Sequence, residues 1–377
     1  MCAAGKEDLM QSFTYYMPTK VICGRDCVQA QGEQLKALGA SALIVTGKSS
    51  ARNGALADVL AALDKNGQTG TVFDRVTPNP TVACVREGEA LLKASGADFV
   101  VAVGGGSPMD AAKAIATLAV QDRPDEEIFA GGYEARALPM AHVPTTAGTG
   151  SEVTPYAILT NDAGETKTSI TSPAMFPRLA FLDGKYMAQL PAASAVNTAL
   201  DAFSHAVEGM LSRNATPLSD LLARESLRIL YPLLPAAAGA PTPEERDALL
   251  YASMLAGMTI AQSGTTAVHG MGYYLTYFYG IDHGRANGLL LGGTLKLCEA
   301  KRVPALTAIL TACGDTLEGV CATLDGLLGA REEIPAERLA DFARRAMGNK
   351  NIKKSAYEPT EAEVLAIYAG AFPAQKS

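Results

Sequence analysis

The stretch Asp98-Phe-Val-Val-Ala-Val-Gly-Gly-Gly-Ser-Pro-Met-Asp110 constrains the fold more than any other part of this chain. An unbroken apolar run of this length reads as a strand buried on both faces, the habit of parallel sheets. Gly104, Gly105 and Gly106 then allow a tight turn, and Ser107, Pro108 and Asp110 suit the N-cap, first and third positions of a helix. Such a turn offers free backbone N–H groups and the positive end of a helix dipole to a phosphate. A ligand-free turn would rarely need three glycines. The Gly-x-Gly-x-x-Gly fingerprint is absent, because Met109 stands at its third glycine.

The same rhythm surrounds this stretch. Short apolar runs at 41–46, 71–74 and 98–103 alternate with helical spacing over 52–66 and 81–95, which predicts helices on both faces of a parallel sheet. Runs at 156–160 and 167–170 flank Asn161-Asp-Ala-Gly164, a hairpin signal. A short apolar strand near 13–16 is a candidate for edge pairing between copies. Beyond Leu190-Pro191, Ala, Leu and Met dominate and helical periodicity continues to about residue 372, with breaks at 237–243, 331–335 and 349–354. The expected architecture is an α/β N-terminal nucleotide-binding domain with a Rossmann-like parallel sheet over 1–188, and an all-helical domain over 189–377.

A net charge of −7 argues against a nucleic-acid groove or an anionic membrane surface. No apolar run reaches the roughly 18 residues of a membrane span, and the first residues lack the pattern of a secretory signal. Seven scattered cysteines, without paired zinc-finger spacing, read as reduced thiols of a cytoplasmic protein.

Chemistry concentrates near the middle of the chain. Asp201 and His205 are spaced i, i+4, on one face of a helix, and His269 and His283 follow, so that of four histidines only His142 stands apart. Each histidine alone reads as a satisfied core residue. Asp201, however, lies in an apolar run where an unpaired carboxylate would be costly. Three imidazoles and a carboxylate suit Fe²⁺, Zn²⁺ or another divalent ion. The polar stretch Pro144-Thr-Thr-Ala-Gly-Thr-Gly-Ser-Glu152 could wrap a nucleotide or be a plain loop.

Five segments in order, at 77–81, 104–110, 144–152, 201–208 and 281–284, resemble the iron-dependent (group III) alcohol dehydrogenases, of the dehydroquinate synthase-like fold. The resemblance runs from about residue 13 to the C-terminus. It implies metal-dependent, NAD(P)-linked interconversion of a small alcohol and its aldehyde or ketone, with Fe²⁺ the family default. It carries the ligand role to Asp201, His205, His269 and His283, and the pyrophosphate turn to Gly104, Gly105, Gly106 and Ser107, within a motif ending at Asp110. Asn79 falls in the cofactor-side Pro-Asn-Pro segment. Thr145, Thr146 and Thr149 match the nicotinamide-side loop, and Lys167 matches a lysine that reaches the cofactor ribose. Relatives are often dimers, so a homodimer or higher homo-oligomer is expected.

Two departures stand out. Many NAD-using members have an acidic residue where this chain has Gly47, followed by Lys48, Ser49 and Arg52; loss of that carboxylate favours NADP(H), or dual use, over NAD(H). Tyr273 replaces a histidine implicated in proton handling, and a phenol with a pKa near ~10 carries protons poorly at neutral pH. A dehydroquinate synthase-type lyase would need several basic residues. Segment 265–290 has only Arg285, beside Met271, Tyr273, Tyr274, Tyr277 and Phe278, so a small, rather apolar alcohol or aldehyde is expected. A glycerol or polyol dehydrogenase is the nearer variant.

Overall fold

The computed structural model describes residues 12–48, 50 and 52–373. Ser49, assigned above to the adenosine end of the cofactor, lies outside the described residues. The strands are β1 (Lys20–Cys23), β2 (Ser41–Thr46), β3 (Thr69–Phe73), β4 (Phe99–Gly104), β5 (Met140–Pro144), β6 (Tyr156–Asn161), β7 (Thr166–Thr171) and β8 (Leu179–Leu182). Six of them form one parallel sheet in the order β1-β8-β5-β4-β2-β3. β4 is central and buried along its whole length. Helices α1 (Cys27–Gln31), α2 (Ala55–Asn66), α3 (Val82–Ser95) and α4 (Gly106–Leu118) connect the strands, and apolar clusters fill both faces of the sheet. β6 and β7 form the expected antiparallel hairpin beside the sheet.

The C-terminal helices are α5 (Ala192–Met210), α6 (Pro217–Ala237), α7 (Pro243–Ser263), α8 (Ala267–Tyr279), α9 (His283–Ala300), α10 (Ala305–Cys313), α11 (Leu317–Leu328), α12 (Ala336–Ala346), α13 (Lys350–Lys353) and α14 (Glu361–Ala371). They enclose an apolar cluster that also takes in Ala180 and Leu182 of β8 and Ala147 and Val153 of the loop after β5. α7 begins as its sequence predicts, with Pro243 in the first turn and a capping box between Thr242 and Glu245. Among the described residues no single helix is long and apolar enough to cross a membrane.

Two local expectations need correction. Residues 13–16 form no strand: the side chain of Gln262 takes both the N–H and the carbonyl of Tyr16, and the sheet edge is β1 instead. α4 starts at Gly106 and no side chain caps it. The Ser107 hydroxyl is spent across the turn, accepting from Asn79 N at 3.2 Å. The Asp110 carboxylate is spent on Ser151 Oγ (2.7 Å) and Ile158 N (3.0 Å). The first-turn N–H groups of α4 are thereby left without a capping side chain.

The loop after β5 reaches the helical half by close backbone contact. Gly150, at φ +58°, packs on α7 so closely that a Cβ at Gly257 would stand 2.7 Å from Gly150 Cα. Gly257→Ala should therefore lower stability by about 1–3 kcal/mol, the usual size of an overpacking defect. Urea denaturation of the variant checks this, and an unchanged midpoint would mean that the loop does not bear on α7.

Candidate metal centre and nucleotide cleft

A cleft of about 1130 Å³ opens where β2, β3, β4 and β5 end, with Gly47, Asp74, Gly105 and Thr145 each just past a strand. This is where open parallel sheets bind ligands. Gly105 and Gly106 are packed against the loop after β5: an added Cβ would stand 3.1 Å from Thr146 Oγ1 at Gly105 and 2.5 Å from Thr149 Cγ2 at Gly106. The glycines thus seat the threonine loop as well as leaving backbone exposed. Asn79, Ser107, Thr145, Thr146, Thr149 and Lys167 all line the cleft. Asp110 borders it too, but both of its oxygens hold structure, as given above. The uncapped start of α4 fits the pyrophosphate of a nicotinamide cofactor, since free N–H donors and a dipole end face the cleft there.

The opposite wall carries the metal candidates. Asp201 Oδ1 stands 3.8 Å from His205 Nε2, 3.6 Å from His269 Nε2 and 3.7 Å from His283 Nε2. The Nε2 atoms of His205 and His269 are 3.0 Å apart. Tetrahedral ligand bonds of about 2.1 Å would separate donor atoms by about 3.4 Å, so the spacing fits a single ion. The outer ring nitrogens agree. His205 Nδ1 donates to Gly148 O at 3.2 Å, and His269 Nδ1 donates to Glu208 Oε2. With Nδ1–H used this way, a neutral ring presents its Nε2 lone pair to the shared point, and His269 does so once its second proton has left.

Burial works against charge on Asp201, yet the three imidazoles outweigh it and hold its carboxyl far below the usual range. Burial likewise lowers His269, but Glu208 and Asp201 prevail and push it up to about 9. His283 is held well below its ordinary value by burial and by Lys167.

Two residues beside the centre were not picked out from the sequence as members of it. Glu208 is fully buried on α5 and also accepts from Thr266 N and Thr266 Oγ1, both at 2.8 Å. Asn287, one turn after His283 on α9, donates from Nδ2 to Asp201 Oδ1 at 2.9 Å. Helical spacing from Asp201 and His283 was the signal available for both. Tyr273 stacks on His283 with ring centroids 5.6 Å apart and meets His269 edge-on. Burial, then Glu208 and Asp201, push its hydroxyl up, so at neutral pH it is a donor and not a base.

Glu208→Gln should weaken metal binding about 10–100-fold, the usual effect of losing a histidine's supporting carboxylate. Competition with a chelator measures this, and undiminished affinity would remove Glu208 from the centre. In the metal-free protein His269 is protonated below about 9, so binding there must release its proton. Apparent affinity should then rise with pH, by roughly tenfold per unit, and level off above His269's pKa.

The description "Iron-containing alcohol dehydrogenase" matches residues 18–184, and "Fe-containing alcohol dehydrogenase family, C-terminal" matches residues 195–372. Lactaldehyde reductase of Escherichia coli (strain K12) is 36% identical over 273 residues, which are 71% of this chain and 71% of that protein. The crystal structure of an iron-containing alcohol dehydrogenase from Thermotoga maritima, 38% identical, covers 96% of this chain and 99% of its own with a TM-score of 0.89. Sulfoacetaldehyde reductase from Bifidobacterium kashiwanohense, solved in complex with NAD+, is 27% identical, with 97% of this chain and 100% of that one covered at a TM-score of 0.88. Since both halves are matched, sheet and metal-facing helices alike, this chain belongs to the iron-containing alcohol dehydrogenase family.

Proposed function

We propose that this chain interconverts a small alcohol and its aldehyde or ketone, with a nicotinamide cofactor along the α4 turn and Fe²⁺ held by Asp201, His205, His269 and His283. The observation that carries this reading is the convergence of three Nε2 atoms and one carboxylate oxygen across the cleft from an uncapped helix start. When bound, the metal supplies Lewis acidity at the substrate oxygen and the nicotinamide supplies or accepts hydride. The chain does the rest. Glu208 keeps His269 in the tautomer whose Nε2 faces inward, and Asn287 orients Asp201. Lys167 is 8% exposed, with its Nζ 5.7 Å from the centre of the Tyr273 ring, and places positive charge between the two walls. Asp201, His205 and His269 are almost fully buried, which keeps bulk water from the reacting atoms.

We read the cofactor as NADP(H) in preference to NAD(H), with dual use allowed. A Cβ at Gly47 would stand 3.1 Å from Val76 O, so the chain is built closely around the missing side chain. Lys48, Arg52 and Arg75 share that rim with one carboxylate, Asp74, and Arg75 is itself paired with Glu87. This leaves Lys48 and Arg52 to meet a 2′-phosphate. We also place the protein in the cytoplasm as a homodimer or higher homo-oligomer. The unpaired thiols among the described residues support the first expectation. The exposed Phe13 and Tyr16 support the second.

The test is steady-state reduction of propionaldehyde by anaerobically purified, Fe²⁺-loaded protein, with NADPH, NADH and a chelated control. Chelator-sensitive turnover, faster with NADPH, is expected. His269→Ala should lower kcat/KM by about three decades, since several kcal/mol of charge stabilisation is lost at 1.36 kcal/mol per decade. Preference for NADH would overturn the cofactor reading alone. No turnover in metal-loaded protein would move weight to a polyol dehydrogenase or to a dehydroquinate synthase-type lyase.

A further inference from the structure

The substrate wall comes from an unexpected part of the chain. Tyr274 donates to Arg345 O, Tyr277 donates to Asp162, Phe278 stacks on Phe342, and Met271 is buried in the helical core. Arg285 is held away by Glu332 and by carbonyls at Leu328 and Ala330. Tyr273 is the member of that aromatic group on the cleft. Beside it, the wall is made by α13 and its cap: Lys350, Asn351 and Lys354.

Lys354 lies across Gly264, where a Cβ would stand 2.7 Å from its Nζ and 3.4 Å from its Cδ. Glycine at this position, with φ +70°, leaves the space that the lysine fills. Among the described residues no carboxylate pairs with Lys354; burial and the neighbouring charge of Lys350 both act against its ammonium. Lys350 donates to Ser169 Oγ at 3.0 Å on β7, and Lys167 of that strand adds a third ammonium to the same cleft. Asn351 Nδ2 donates to Thr265 Oγ1 at 3.2 Å, fixing α13 against the entry to α8. Lys167 has the opposing charges of Asp110, Asp201 and Asp282, and Lys350 is exposed. Lys354 is therefore the partly desolvated ammonium left without a paired carboxylate, beside a like charge that disfavours it in the empty cleft. An anion between them would reverse that effect.

We propose that the substrate is an alcohol or aldehyde with a terminal anionic group, a carboxylate, sulfonate or phosphonate, seated on Lys350 and Lys354. This rests on the dehydrogenase reading above and names its substrate class. In the reducing direction a hydride, carrying two electrons, passes from the reduced nicotinamide to the carbonyl carbon. A proton from water adds to the oxygen, giving the alcohol and oxidised nicotinamide, while the anionic group is unchanged.

The experiment compares kcat/KM of the Fe²⁺-loaded protein for butanal, 4-oxobutanoate, 2-sulfoacetaldehyde and 2-phosphonoacetaldehyde, in the wild type, Lys354→Met and Lys350→Gln. At least one anionic aldehyde should exceed butanal by about tenfold or more, as one charge-assisted hydrogen bond would give, and mainly through a lower KM. The anionic-to-neutral ratio should fall by about tenfold in each variant; being taken within one protein, it is independent of how much of the variant folds. The best arm identifies the head group. Turnover of butanal with a ratio near one, or a preference that survives both substitutions, would overturn this inference and leave the dehydrogenase standing. No turnover of any aldehyde would overturn both.

Discussion

A carboxylate without exposed surface organises the metal-facing wall. Glu208 accepts from Thr266 N, Thr266 Oγ1 and the backbone N–H of His269, and its second oxygen receives His269 Nδ1. The first three contacts lie at the start of α8, where unpaired N–H groups and the helix dipole favour a negative charge. One side chain on α5 therefore sets where α8 begins and how its first histidine is turned. Asp201 and His205 ride on the same helix as Glu208, so three members of the centre share a rigid rod. A truncated partner here would leave a buried charge unmatched, which is far costlier than never burying it.

The nucleotide wall is held by a second buried network, centred on Lys113 of α4. Its ammonium, with no exposed surface, donates to Ser151 Oγ, Thr154 Oγ1 and Tyr156 O, while Ser151 donates onward to Asp110. Burial lowers this lysine to about 8, against the opposing pull of Asp110 and Glu152. The network ties the helix after the glycine turn to the threonine loop and to the hairpin that carries Lys167. Tyr156 continues it across the cleft, donating to the carbonyls of Ile260 and Ala261 on α7. The two walls are thus joined by hydrogen bonds and by the close Gly150–Gly257 contact.

How far the sequence discloses this depends on how local each signal is. β2, β4 and the hairpin are legible because their apolar runs and turn residues are contiguous. β5 is not, because His142 and Pro144 interrupt its pattern, and β1 and β8 have four residues each. The position of β8, between β1 and β5, is a long-range pairing with no local trace. The four metal-facing side chains stand out because histidine is scarce here and Asp201 is out of place in an apolar run. Glu208 escapes notice because its necessity appears only once α8 is laid against α5. Ser107 and Asp110 match a capping pattern, yet both are drawn off by partners distant in sequence, Asn79 and Ser151.

The same distinction explains the substrate wall. A count of residues between His269 and the end of α8 finds aromatics and no free cation, which describes an apolar pocket. Helix packing sends alternate faces of α8 to different places, however, and its aromatic side chains largely serve the core shared with α12. The cleft face of α8 is narrow, and the gap beside it is closed by α13, whose sequence Lys350-Asn-Ile-Lys353 looks like a solvated break between helices. Lysines in such a break are ordinarily free to reach water. Here Gly264 leaves room for a half-buried Lys354 across the end of α7, while Lys350, still exposed, reaches Ser169 on β7 at the rim of the cleft. Charge that composition would assign to the surface is thereby delivered to the one cavity that holds the reaction centre.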